Sequence, residues 1–240
     1  MIPALDCRDL WKTYSGRRVG LKTLLLRPEI ARTSRYVRRW ALQGVSFQVA
    51  RGQGFGVLGG NGMGKTTLLS ILLGIVQPDR GSVSIQGRVA SLIELGAGFH
   101  PELSGRDNLF LYGSILGMRW REVQARYRTI VEFSELGDAI EEPLRTYSDG
   151  MITRLGFSLI AHAPADVFLI DEVLAVGDAR FQEKCRRHLT DFKRRNGTLV
   201  IVSHDMEALA EVCDEGMRLE LGQVADAGPI RDVIGRYTPA

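Results

Sequence analysis

Short runs of apolar residues alternate along the chain with stretches of helical periodicity. Three of these runs, each followed by a helical pattern, are residues 55–58, 167–170 and 198–202. Apolar runs of four or five residues that precede helices indicate strands buried on both faces of a mainly parallel sheet. We therefore expect an α/β fold in which helices cover the sheet.

Two other regions depart from this alternation. Between residues 105 and 163 the pattern is helical without strands, which predicts a helical subdomain inserted into the α/β core. Near the C-terminus, residues 216–226 suggest a hairpin that turns at Gly222, followed by a last helix near residues 229–237. No repeat or Pro-rich linker divides residues 1–240, so we expect one domain.

A glycine-rich loop follows the first buried run. It has the pattern G-x-x-x-x-G-K-[ST] between a strand and a helix, and glycines there allow backbone N–H groups to surround phosphate oxygens. A Gly-rich turn with an exposed lysine is the alternative. In a phosphate site Lys65 would add its charge near the β- and γ-phosphates, and Thr66 would bind Mg²⁺. The predicted nucleotide-binding residues are Gly59, Asn61, Gly62, Gly64, Lys65, Thr66 and Thr67.

Two acidic residues end the second buried run. Asp171 and Glu172 are expected at the carboxyl edge of the sheet, where open α/β folds bind ligands. Adjacent strand residues point to opposite faces, so the two carboxylates should differ in role. We expect Asp171 to hold Mg²⁺ and Glu172 to polarise the water that attacks the γ-phosphate.

Composition and charge narrow the function classes. With 45% hydrophobic and 25% charged residues the chain is typical of globular proteins, and its apolar runs fall short of the ~20 residues that cross a bilayer. Three separated cysteines without a C-x-x-C pair favour a reducing cytoplasm. Eight basic residues and one acid lie within residues 17–39, which leaves a net charge of −4 on the remainder.

This basic segment, residues 17–39, argues against a chain-wide nucleic-acid surface. Leucine and aromatic residues alternate with its charges, so it is either a solvated helix face or an amphipathic insertion that acts at a membrane surface. We expect the second.

Further spacings resemble the ATP-binding cassette (ABC) family. Tyr147-Ser148-Asp149-Gly150-Met151 precedes Asp171 by about two dozen residues, and Ser203-His204 ends the third apolar run. Ser148 and Gly150 match the helix-opening signature of the family, Leu-Ser-Gly-Gly-Gln, whereas its other three positions differ. Asp149 is expected to face away from phosphate or to cap the helix.

The resemblance implies roles for several residues. Ser148 and Gly150 of one copy would cover the γ-phosphate held by a second copy. His204 of that second copy would contact the same phosphate, and Asp178 would link the two sites. Alone, His204 would more often be a buried structural histidine, and a helix N-cap explains Asp178 equally well.

Two further assignments come from the resemblance. Tyr14 resembles the aromatic residue that stacks on adenine, with Trp11 as the reserve candidate. The glutamine that most cassettes carry near residues 94–95 is absent, and Glu94 is expected to coordinate metal through water in its place.

Residues 94–108, the Tyr-Ser-x-Gly-Met signature and residues 171–178 resemble the polysaccharide-export branch of the family. The resemblance implies a P-loop ABC ATPase with an antiparallel β part, using ATP and Mg²⁺, paired with a second copy and an integral membrane permease at the cytoplasmic face of the bacterial inner membrane. The polysaccharide would be recognised mainly by the permease. Alternatives are the ATPase of an importer or drug exporter, a cassette ATPase acting on nucleic acid, and a P-loop kinase.

Overall fold

The computed structural model describes residues 2–16, 37–92, 98–171 and 177–237. Within these ranges the chain forms nine strands and seven α-helices. The strands are β1 Leu5–Gly16, β2 Val37–Val49, β3 Gly54–Leu58, β4 Arg80–Ile85, β5 Val89–Leu92, β6 Val167–Asp171, β7 Thr198–Val202, β8 Glu215–Glu220 and β9 Gln223–Pro229. The helices are α1 Lys65–Leu72, α2 Gly105–Ile115, α3 Trp120–Ser134, α4 Asp149–Ala161, α5 Ala179–Arg194, α6 Met206–Val212 and α7 Ile230–Arg236.

The strands form two sheets. The larger sheet has the order β5-β6-β7-β3-β8-β9, in which every neighbouring pair is parallel except β8 with β9. The smaller sheet is antiparallel, with the order β2-β1-β4. The expected fold class, a mostly parallel α/β core with an antiparallel part and added helices, is confirmed.

Side-chain alternation along the central strands divides the interior into two cores. On β6, Phe168 and Ile170 belong to the core beneath the helices α2–α7, whereas Val167 and Leu169 belong to the core shared with α1 and the smaller sheet. Both sets are at most 1% exposed, which explains why this strand is continuously apolar. The same alternation directs Asp171, at the end of β6, toward the α1 side.

The helical region expected between residues 105 and 163 contains α2, α3 and α4. Two short 3₁₀ segments, Gly137–Glu141 and Leu144–Thr146, connect α3 to α4. The Tyr147 hydroxyl donates to the Ala139 carbonyl and so fixes the approach to α4. Among the described residues, each helix is too short or too polar to pass through a bilayer.

Candidate nucleotide site

The loop of residues 59–64 turns tightly between β3 and α1. Gly64 has φ +103°, and a Cβ at that residue would collide with the carbonyl oxygen of Ala41 and lie 3.0 Å from a methyl carbon of Leu42. Only glycine fits a left-handed backbone at such close range. The glycine of the motif therefore allows the loop to pack directly on strand β2.

Lys65 is buried beneath this loop, with 7% of its surface exposed. Its Nζ donates to the carbonyl oxygens of Gly59 and Gly60, at 2.6 and 3.0 Å. These contacts hold the ammonium group against the inner side of the loop, and its third N–H suits an anionic acceptor such as a phosphate oxygen. The structure thus removes the alternative of an exposed lysine in a simple turn.

Helix α1 begins directly after the loop, and the N–H groups of a helix's first turn have no partner within the helix. Its N-cap, Gly64, makes no side-chain capping hydrogen bond, and its first turn, which the structure describes in full, carries no acidic residue. Unpaired N–H groups and the positive end of a helix dipole form an anion site when a loop presents them to a ligand. This terminus is the expected location of the β-phosphate.

A cavity of about 340 Å³ opens in front of the loop, within the roughly 300–1,000 Å³ typical of small-molecule sites. Seven of its lining residues were predicted as nucleotide or metal contacts in the phosphate loop and β6; these are Asn61, Gly62, Gly64, Lys65, Thr66, Thr67 and Asp171. Asp171 reaches it because β6 lies two strands from β3 in the larger sheet. A carboxylate, a hydroxyl and nucleotide phosphates are the oxygen ligands that Mg²⁺ prefers.

The opposite wall of the cavity comes from the smaller sheet. Tyr14 of β1 lines it, as expected for the aromatic residue that stacks on the base, and is 46% exposed. Arg39, Trp40 and Ala41 of β2 also line it, although the sequence placed Arg39 in the basic segment. They reach the cavity because β1 and β2 pair across the intervening residues, with Tyr14 opposite Arg39.

Strand β1 is fixed where it carries Tyr14. The Asp79 carboxylate accepts from the backbone N–H of Thr13 at 2.7 Å, from the Thr13 hydroxyl at 2.8 Å and from Lys12 Nζ at 3.0 Å. These bonds, led by that from the Thr13 hydroxyl, lower the pKa of Asp79 to about 2. Asp79 therefore stays ionised and holds the neighbouring Tyr14 in place at physiological pH.

Trp11, the reserve candidate for base stacking, lies behind the cavity wall. Its ring meets that of Trp40 edge to face at 5.2 Å, and its indole N–H donates to Asp9 at 2.7 Å. The described residues that line the cavity do not include Trp11.

His204 follows the end of β7, between the strands that carry the phosphate loop and Asp171. In the β6–β7 register Asp171 pairs with Val202, two residues before His204. His204 is exposed, so the buried structural alternative is wrong. It is not among the described residues lining the cavity, and its contact with the γ-phosphate stays a prediction.

The predicted signature residues lie elsewhere on the surface. Ser148 is the N-cap of α4, where its hydroxyl accepts from Met151 N–H at 3.3 Å; Asp149 is the exposed first residue of the helix and not its cap. Ser148 and Gly150 are both exposed and absent from the described lining of the cavity. They are therefore accessible to another molecule.

Asp178 is the N-cap of α5 and also an ion-pair partner of α4. It accepts from Phe181 N–H at 2.9 Å and from Arg154 at 2.5 Å. The bond from the Phe181 N–H is the main cause of its lowered pKa, and Arg154 adds to it. The capping interpretation is confirmed, while the role of Asp178 between two nucleotide sites stays a prediction.

Glu172 and Glu94, the other two predicted site residues, lie outside the residues that the structure describes.

A phosphate loop after a buried central strand, with a carboxylate at the same sheet edge, defines a P-loop nucleoside-triphosphate-binding domain. The model of one protein family, described as ABC transporter, matches residues 42–175. The chain belongs to this family, and membership makes it an ATPase.

Relatives with curated names are similar over most of the chain. The O-antigen export system ATP-binding protein RfbB of Klebsiella pneumoniae is 44% identical over 92% of this chain and 90% of its own length. The protein of the same name from Myxococcus xanthus is 39% identical over 99% of this chain and 56% of its own. The teichoic acids export ATP-binding protein TagH of Lactococcus lactis is 40% identical over 82% of this chain and 42% of its own.

Solved structures share the fold at lower identity. An ATP-binding subunit of an ABC transporter superposes with a TM-score of 0.76 at 21% identity, covering 95% of this chain and 91% of its own. A dimeric ATP-binding cassette in a post-hydrolysis state with ADP and Pi gives a TM-score of 0.75 at 18% identity, covering 95% and 99%. The ABC ATPase fold predicted from the sequence is confirmed.

Proposed function

We propose that this chain is the ATP-hydrolysing subunit of an ABC transporter that exports a cell-surface polysaccharide across the bacterial inner membrane. The observation that carries the proposal is the 44% identity, over nearly the full length of both chains, to a protein named for O-antigen export. Similarity to a protein named for teichoic acid export supports the same substrate class.

The cavity supplies the parts that ATP hydrolysis requires. The phosphate loop and Lys65 bind the phosphates, Tyr14 contacts the base, and Thr66 with Asp171 would hold Mg²⁺, which offsets phosphate charge when bound. Glu172, the next residue after Asp171, orients the attacking water, and His204 contacts the γ-phosphate. Glu94 assists the metal through water.

Two copies act together in this proposal. Ser148 and Gly150 are exposed and lie off the described lining of their own cavity, so they can present the N-terminus of α4 to the nucleotide of a second copy. The γ-phosphate then bridges the copies, and its loss on hydrolysis removes the contact that holds them closed. A membrane permease at the cytoplasmic face of the inner membrane converts closure and opening into transport.

The test is to isolate the assembly in its ATP-bound state. Tagged Glu172→Gln protein, purified with ATP from native membranes in mild detergent, is analysed by mass spectrometry beside tagged Lys65→Ala protein. We expect a multi-spanning permease with glycan attached, enriched in the Glu172→Gln sample.

A permease for a small solute, without glycan, would instead favour the ATPase of another ABC transporter. Recovery of a nucleic-acid assembly would contradict both transport assignments.

A further inference from the structure

Arg39 lies at the cavity and not only in the basic segment to which its sequence position assigns it. One Nη nitrogen of its guanidinium is 3.9 Å from the position that a Cβ of Gly62 would occupy, so the group stands beside the phosphate loop. Arg39 is exposed and lines the same cavity as Lys65 and Asp171. Among the described lining residues, these three carry the formal charges.

The register of the smaller sheet sets the direction of this side chain. Tyr14 and Arg39 are directly opposite each other in the antiparallel β1–β2 pair, and opposed residues project from the same face. Tyr14 marks the base end of the cavity and Gly62 its phosphate end. The guanidinium of Arg39 therefore extends from the base end toward the phosphates.

We infer that Arg39 is a further nucleotide-binding residue, whose guanidinium contacts the phosphates of ATP held between Tyr14 and the phosphate loop. The inference rests on the nucleotide site proposed above. Guanidinium groups bind phosphate through paired, charge-assisted hydrogen bonds, and Arg39 supplies a second cation to the cavity that Lys65 lines. Since the Asp171 charge is directed to Mg²⁺, two cations then face the triphosphate.

The contact also gives the basic segment a link to the nucleotide. Arg39 is its last basic residue, at the start of β2, so phosphate binding fixes the point where that segment joins the core.

The test compares ligands that differ only in phosphate number. Purified full-length protein and its Arg39→Ala variant are titrated by calorimetry with AMP, ADP and a non-hydrolysable ATP analogue, in the presence of Mg²⁺. We expect Arg39→Ala to weaken the ATP analogue about 10-fold, the lower end for a charge-assisted hydrogen bond because the group is exposed. Affinity for AMP should change by less than about 3-fold. Arg39→Lys should recover only part of the lost affinity for the ATP analogue, because lysine keeps the charge but loses the paired hydrogen bonds.

Two further variants separate the possible failures. Arg231→Ala removes an exposed positive charge from α7 and should leave all three affinities unchanged. Lys65→Ala should weaken the ATP analogue whatever Arg39 does. Unchanged affinity in Arg39→Ala, or an equal loss for AMP and the ATP analogue, would overturn the inference while Lys65→Ala upholds the site. If Lys65→Ala also has no effect, the proposed site fails and the inference with it.

Discussion

Individual residues give the site its chemistry through burial and backbone geometry more than through their identity alone. Lys65 is effective because two carbonyl groups hold its ammonium under the loop, and Asp171 because strand alternation directs it toward α1. A solvent-exposed lysine or a free strand end would bind phosphate or metal only weakly. Substitution of Glu172, the residue after Asp171, should lower the rate of ATP hydrolysis and leave ATP affinity nearly unchanged.

Glu172→Gln should lower ATP hydrolysis roughly 10²–10⁴-fold, the range for loss of a positioned general base. ATP affinity should stay within about 3-fold, because glutamine has nearly the same shape and the Lys65 contacts remain. Steady-state phosphate release and ATP titration measure the two quantities. Glu132→Gln, at an exposed site on α3, is the matched control. Turnover at the wild-type rate in Glu172→Gln would exclude the proposed base.

One side chain of α4, Arg154, reaches the residues at the N-terminal end of α5. Arg154 of α4 pairs with Asp178 at 2.5 Å and with Glu135 at 3.4 Å, and its guanidinium lies 4.9 Å from the centre of the Phe181 ring. Lys184 of α5 also binds Glu135, at 2.8 Å. These contacts hold the helix opened by Ser148 against the helix capped by Asp178, so we expect both to reach a second copy in a fixed relation.

Arg154→Gln should reduce the ATPase rate at saturating ATP by roughly 3–30-fold, the size of effect expected for a residue that couples two sites. Binding of ATP to the single chain should change little, since Arg154 is absent from the described cavity lining. Arg187→Gln breaks an exposed pair with Glu183 on α5 and should leave the rate unaltered. A weakened ATP affinity in Arg154→Gln, with normal turnover, would argue against a role between copies.

Elements with local signals were predictable, and those formed by long-range pairing were not. Strand β7 matches its predicted apolar run, and α5 and α6 begin one residue after their N-caps, Asp178 and Asp205. Apolar runs and N-caps are predictable because each depends on a few neighbouring residues in the sequence. The same applies to the phosphate loop. Strand β4 was missed because its residues are mostly exposed and lack an apolar run.

At the site, the wall formed by Arg39, Trp40 and Ala41 was also missed. It arises from the pairing of β1 with β2 across about twenty intervening residues, a contact that no short motif encodes.

Across the whole molecule, two half-buried histidines lie at the edge of the sheet opposite the nucleotide. His162 bonds to the Ser158 carbonyl and His188 to the Ala161 carbonyl, each at 2.8 Å, and their rings are 4.9 Å apart. Burial lowers the pKa of both below the ordinary 6.5. Folding therefore requires both rings to be neutral, whereas the unfolded chain takes up protons near pH 6.5.

The contribution of these two histidines to the free energy of unfolding should consequently be constant above about pH 7 and fall as the pH drops below 6.5, where the unfolded state binds more protons. Urea unfolding at a series of pH values measures this slope. The double variant His162→Gln/His188→Gln should show a shallower slope whatever its stability at pH 8. His100→Gln, at an exposed loop position, should keep the wild-type slope. A slope that is the same in all three proteins would refute the assignment.

The backbone of β2 at Ala41 is enclosed from two sides. Gly64 of the phosphate loop packs against its carbonyl, and a Cβ at Gly222, at the tip of the β8–β9 hairpin, would lie 2.6 Å from the same oxygen. The hairpin is fastened there by a hydrogen bond from Gln43 N–H to the Gly222 carbonyl at 2.8 Å. A variant in which residues 17–36 are shortened or exchanged must therefore return the chain to the same position at Ala41, since a shift of β2 there would press on the nucleotide loop itself.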